Sequence, residues 1–260
     1  MVELANVDFY NNEMDKGIKD KLWFLEHLDF EPYLIVDYGC ANGTVIGNLQ
    51  KVYPDVPKIG LDISDEMLRL ANAKNIPNTM FVRVDPDTVD QWDPQMGNSV
   101  LVLSSVIHEV YSYCSDEQVE RFWSFVFSGR FRAIVIRDMA LNYTLFPPDP
   151  KSVVSVRTKA DPFQLEEFEE QWGSIDNAQS FVHYLFKYRY RANWKREIKE
   201  NYFPICIEEV AAKFEAVKGQ YTTTHFNHFL FNWQRDCIRE DFGLDFTTKT
   251  HYTAMLVRNT

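Results

Sequence analysis

Glycine and proline are scarce in this chain, 10 and 11 residues of 260, and no repeat or low-complexity tract interrupts it. Cysteine is rarer still. Cys40, Cys114, Cys206 and Cys237 lie far apart and form no Cys-x-x-Cys pair, which argues against a zinc site or a disulfide framework and for reduced, buried thiols. Basic charge is in deficit: 27 Lys and Arg stand against 38 Asp and Glu, a net charge of −11. That balance opposes a protein built mainly to hold nucleic acid, though it leaves room for a local basic patch. No apolar run approaches the length of a membrane span, and the opening MVELANVDFYNNEMDKG is too polar and acidic for a secretory signal. A soluble, cytoplasmic protein is expected, with no membrane partner.

What the chain does have is 45% hydrophobic residues, 15% of the total aromatic, enough for a large core. Through the first half, short apolar runs alternate with amphipathic stretches, the pattern of a parallel sheet wrapped by helices. Strands are expected at residues 33–38 (YLIVDY), 58–63 (KIGLDI), 80–84 (MFVRV), 99–104 (SVLVLS) and 131–137 (FRAIVIR). Helices are expected at 15–28, at 44–53, after Ser64 with Asp65 and Glu66 in the first turn, and after Ser115, whose spacing to Gln118 forms a capping box.

From residue 142 to 203 no strand is evident. A Pro-rich joint, FPPDP, leads to an acidic helix opened by Asp161-Pro162 and ending near Gly173, then to a basic, aromatic helix over 177–202. The alternating logic resumes with a helix at 205–214, strands at 220–224 and 252–258, and a helix at 227–240 between them. The expected organisation is an α/β core over 1–141, a helical insertion over 142–203 covering the ligand edge as a substrate lid, and the rest of the core over 204–260.

The informative segment is Asp37-Tyr38-Gly39-Cys40-Ala41-Asn42-Gly43, followed by Gly60-Leu61-Asp62-Ile63-Ser64. A glycine turn from strand into helix lets backbone amides approach a ligand. An acid ending the next strand sits where a ribose diol presents its hydroxyls. The dinucleotide fingerprint wants glycine at three positions held here by Gly39, Ala41 and Thr44, so two of the three fail. Asp37 would set an anion against a pyrophosphate but suits a ligand bearing ammonium and sulfonium groups, which favours S-adenosylmethionine over NAD.

With DYGCANG, GLDISDEMLRLA and VLSSVIHEV in place, residues 30–140 resemble the class I S-adenosylmethionine-dependent methyltransferases. The resemblance implies a doubly wound, mostly parallel seven-stranded Rossmann-like sheet and S-adenosylmethionine as cofactor. It implies that Asp37, Gly39 and Gly43 hold the methionine portion, with Asp62 at the ribose, Met67 and Asp85 at the adenine, Ser104 near the methionine moiety and methyl group, and Cys40, Ala41 and Ile63 also in the cofactor site. Ala41 departs from the glycine common at its position.

Methyl transfer needs a well-placed nucleophile, and a base only where the acceptor must lose a proton. His108 and Glu109, after the fourth strand, are the catalytic candidates, with a turn-capping histidine as the plainer reading. Arg137 is a candidate for orienting substrate, with an ion pair to Asp138 as the simpler role. Within the insertion, Tyr184 and Arg189 are further substrate candidates. His225-x-x-His228 lacks a nearby third ligand, so no metal is expected. The reading is a methyltransferase acting on an oxygen or nitrogen atom of a small molecule. An RNA methyltransferase using the basic aromatic stretch 183–199, or a non-catalytic S-adenosylmethionine-binding partner protein, stands as the alternative.

Overall fold

Branched and aromatic side chains covered on both faces make the strands run as unbroken apolar stretches rather than alternations. The computed structural model describes residues 17–91 and 98–259. In it β1 (Leu34–Tyr38), β2 (Lys58–Asp62), β3 (Thr79–Arg83), β4 (Ser99–Ser104), β5 (Ala133–Met139), β6 (Tyr221–Phe229) and β7 (His251–Arg258) form one sheet, ordered β3-β2-β1-β4-β5-β7-β6. The first five strands are parallel, and β7 runs antiparallel to both neighbours. Strand order reverses at β1, which lies between β2 and β4, and such switch points open a crevice at the carboxyl ends of the strands.

Helices α1 (Ile18–Lys21), α2 (Thr44–Val52), α3 (Asp65–Ala73), α4 (Ile107–Tyr113) and α5 (Asp116–Val126) belong to the first half. Ser64 caps α3 by accepting from the Met67 amide, and the Ser115–Gln118 box caps α5 with both of its hydrogen bonds present. One face of the sheet packs Ile35, Val100, Val102 and Val135 against Phe24, Val45 and Leu49. The other packs Val36, Leu103, Ile136 and Tyr252 against Phe122, Phe125, Val210 and Phe214.

After β5 come α6 (Pro150–Lys159), α7 (Pro162–Trp172), α8 (Ala178–Lys187), α9 (Trp194–Glu197), α10 (Ile207–Ala216) and α11 (Asn232–Phe242). Asp149 and Asp161 cap α6 and α7, each followed by a proline at the first helical position, where the missing N–H costs nothing. Leu165, Phe168, Tyr184, Leu185 and Phe186 of the insertion form a third cluster together with Ile238, Phe242 and Phe246. Helix α11, expected in the core, therefore packs with the insertion.

Other boundaries differ from the expected ones for identifiable reasons. Of the helix expected at 15–28, Asp15 and Lys16 lie outside the described residues, and the rest is α1 followed by a 3-10 turn, Trp23–Glu26. The Pro-rich joint yields early to α6, because Asp149-Pro150 is itself a start signal. The helix expected over 177–202 is broken after Lys187, whose ammonium reaches back to the Glu197 carbonyl and folds the chain on itself. Residues Asn227 to Phe229 pair with β7 and leave the predicted helix, so α11 starts at Asn232. Strand β5 lies two residues later than expected, which brings Asp138 inside it.

Candidate active site

The turn from β1 into α2 is shaped by three residues with positive φ: Gly39 (+76°), Ala41 (+45°) and Gly43 (+74°). A Cβ on Gly39 would lie 2.5 Å from Val106 Cγ2, and one on Gly43 2.8 Å from Phe81 Cζ, so both glycines are needed for close approach as well as for conformation. Ala41 tolerates the left-handed region because its amide donates to Asp62 Oδ2 at 2.8 Å. The Ser64 amide donates to Oδ1 of the same carboxylate at 2.8 Å. Asp62 thereby ties the tip of β2 to the β1 turn. Burial raises its pKa, and these amide donors offset only part of that rise. Burial, with Asp37 and Asp62 nearby, also raises the Cys40 thiol, so it stays protonated.

Asp37 is buried, and its Oδ2 is shielded from solvent with no partner among the described residues. Burial pushes its carboxyl up to about 7; Lys21 opposes that shift and Asp62 adds to it. The Ser104 hydroxyl is likewise shielded and without a partner. Asp37 stands opposite Val102 in the β1–β4 register, so Asp37 and Ser104 share one face of the sheet. Unpartnered buried polar atoms are costly, and these two share a sheet face at the switch point, where an ammonium and a hydroxyl-rich ligand would complete them. The residues present fit S-adenosylmethionine. Met67 is buried on α3, Ile63 is exposed, and Asp85 is exposed after β3, where its Oδ1 accepts from the Asp87 amide.

The second group of polar residues surrounds His108, the second residue of α4. Asp138 Oδ2 accepts from the amides of Val106 (2.9 Å) and Ile107 (2.7 Å), and His108 Nδ1 donates to Oδ1 at 2.7 Å. The expected pair of Asp138 with Arg137 does not form, because successive residues of a strand point to opposite faces. Arg137 instead donates from Nη1 to Ser105 Oγ at 2.6 Å and lies over the Phe231 ring at 5.0 Å. Burial pulls His108 down, but the charge and hydrogen bond of Asp138 outweigh it, with Glu109 and Glu200 adding, and its pKa rises to about 9. The ring is an imidazolium at neutral pH and can accept a proton only after losing that one.

Glu109 Oε1 pairs with Arg196 Nη2 at 2.9 Å, and the same nitrogen pairs with Glu200 Oε1 at 2.8 Å. His108, Glu109 and Glu200 offer ligand atoms within 4.8 Å of one another, a cation-site constellation in which the Arg196 guanidinium already meets both carboxylates. Sequence reasoning missed Asp138 as the partner of His108 and missed Arg196 and Glu200 altogether. The four-residue spacing of Arg196 and Glu200 was a visible helical signal. The pairing of Arg196 with Glu109, 87 positions away, was not.

No known family profile matches the chain. Among curated proteins, the malonyl-[acyl-carrier protein] O-methyltransferase of Halalkalibacterium halodurans is 24% identical over 200 residues, 76% of this chain and 64% of that protein. The match thus spans less than two thirds of that relative's length. Among solved structures, the plantazolicin methyltransferase BamL, in complex with a triazolic desmethylPZN analog and SAH, superposes with a TM-score of 0.53 at 14% identity, covering 98% of this chain and 90% of that one. A SAM dependent methyltransferase from Aquifex aeolicus superposes at 0.51 with 10% identity, covering 99% and 100%. The fold is that of the class I methyltransferases.

On this methyltransferase fold the insertion's candidate residues are placed apart from the strand tips. Tyr184 is fully buried in the insertion's own cluster against Phe168 and Tyr188. Arg189 pairs with Asp241 of α11 through Nε at 3.0 Å. His225 and His228 fall on opposite faces of β6 by their spacing. The first lies 2.9 Å from Thr253 Oγ1, and the second donates to the Ala140 carbonyl at 3.0 Å. His251 is buried with Nδ1 3.0 Å from Thr250 Oγ1. Among the described residues no helix is long and apolar enough to cross a membrane.

Proposed function

We propose that this chain transfers the methyl group of S-adenosylmethionine to an oxygen or nitrogen atom of a small molecule. The observation that carries the reading is the shielded Oδ2 of Asp37, without a partner among the described residues, beside the Gly39 turn, with Asp62 closing the neighbouring strand tip. Asp37 would take the ammonium of the ligand, Asp62 its ribose hydroxyls, and the Gly39–Gly43 backbone its main-chain contacts. A methyl donor bound there supplies an electrophilic carbon on a positive sulfur. The similar proteins named above, one an O-methyltransferase and one solved with SAH, support the same reading.

A small acceptor is favoured over RNA by the fate of the basic residues in 183–199. Lys187 and Arg196 are buried with partners inside the protein, and Arg189 is paired with Asp241, which leaves these three little freedom to meet phosphates. Calorimetric titration with S-adenosylmethionine, SAH and NAD tests the cofactor assignment. Binding of the first two without NAD is expected. Absence of binding by both S-adenosyl ligands would sink the proposal, and binding without methyl transfer to any extract fraction would favour a non-catalytic role.

A further inference from the structure

The geometry points to a carboxylate as the methyl acceptor, gripped by the Arg137 guanidinium; this deepens the methyl-transfer reading above and rests on it. Arg137 stands opposite Ser104 in the β4–β5 register, so it shares a sheet face with Ser104 and Asp37 at the carboxyl ends of the strands. The side chain is half-buried, and its Nε is shielded from solvent with no acceptor among the described residues. Among the described residues no carboxylate forms an ion pair with it: Asp138 faces the other way and serves His108, and Asp20 acts on it through its charge alone.

The group is nonetheless held firmly. Nη1 is fixed on Ser105 Oγ at 2.6 Å, and the guanidinium lies over Phe231. Ser105 itself adopts φ +58°, rare for a residue with a side chain, and its amide donates to the Arg137 carbonyl at 2.7 Å. Strain kept at a strand tip, a locked cation and an unfilled donor beside the orphaned Ser104 hydroxyl together describe a site waiting for an anion. A planar anion with two oxygens matches the guanidinium fork.

The chemistry agrees with that choice. A carboxylate oxygen attacks the methyl carbon; the O–C bond forms as the S–C bond breaks, and the electron pair of the broken bond stays on sulfur. A methyl ester and a neutral thioether result, and no proton moves. His108, protonated at neutral pH, is no obstacle to such a reaction, as it would be to deprotonating a hydroxyl.

The test uses the whole protein saturated with SAH, with benzoate as probe and benzamide as its neutral analogue, read by saturation-transfer NMR. Benzoate should bind and benzamide should not, and Arg137→Gln should weaken benzoate by about tenfold or more. SAH affinity, measured by calorimetry, should hold in that variant and so show that it is folded. Arg137→Lys, which keeps the charge but loses the fork, should fall between the two. In parallel, label from methyl-tritiated S-adenosylmethionine should enter extract molecules that release volatile methanol in mild base, the mark of an ester. A missing benzoate signal, equal signals from both probes, benzoate binding unchanged in the folded variants, or base-stable label would each overturn the carboxylate acceptor. Failure of SAH to bind the native protein would strike the methyl-transfer reading instead, and it shows in the calorimetric arm alone.

Discussion

Two of the sets of buried polar groups among the described residues are satisfied in opposite ways. At the seam between α4 and the insertion, Arg196 bridges Glu109 and Glu200, and the Tyr113 hydroxyl donates to Glu200 at 3.0 Å. Lys187 lies 3.9 Å from the Tyr202 ring centroid, and the Tyr202 hydroxyl donates to Glu197. At the strand tips, Asp37 Oδ2, Ser104 Oγ and Arg137 Nε are shielded and have no partner among the described residues. Desolvation is costly in both places. The seam recovers that cost within the chain, whereas the tips leave it to be recovered by ligands. Burial of charge alone therefore does not mark a functional site; at the strand tips it is the gathering of unpartnered polar atoms on one sheet face beside the glycine turn that does.

The contrast can be broken from either side. The largest loss of stability is expected at the seam: Arg196→Ala leaves Glu200 and Glu109 facing each other without their cation. It should destabilise by about 3 kcal/mol in chemical unfolding while SAH affinity in the folded protein changes little. Gly39→Ala should do the reverse. Its Cβ meets Val106 at 2.5 Å in a left-handed conformation, so SAH binding should vanish for a stability loss of about 2 kcal/mol, as calorimetry and unfolding will show.

Asp37→Asn should act on stability with the opposite sign. With its carboxyl raised from 3.8 to about 7, the folded protein holds a proton that the unfolded chain has released, so stability falls as pH climbs from about 4 to about 7. The amide cannot ionise; the variant should lose that slope and be the more stable form at pH 8. S-adenosylmethionine affinity should rise with pH through neutrality in the native protein, with proton release detectable in buffers of different ionisation heat. Asp37→Asn should abolish that rise and bind more weakly at every pH. A native protein whose affinity is flat with pH would remove Asp37 from the ammonium site.

The strand tips were legible in the sequence because their determinants are local. Gly39, Gly43 and Asp62 announce a turn and its tether within two adjacent strands, and Ser115 with Gln118 announces a helix start within four residues. The seam was not legible. Arg196 and Glu109 are brought together only by the packing of the insertion, and nothing near Lys187 reveals that its ammonium turns inward to end α8. The orientation of Arg137 and Asp138 depended on a two-residue shift in β5, which the continuous apolar run FRAIVIR left undetermined because both faces of the strand are covered.

The cluster that unites Phe168, Tyr184 and Leu185 with Ile238, Phe242 and Phe246 draws on stretches separated by β6. During synthesis, α6, α7 and α8 leave the ribosome well before the side chains that complete their interior. Until α11 arrives they expose an unfinished apolar surface, so this half of the molecule should acquire its native packing late and be the part most in need of protection against aggregation.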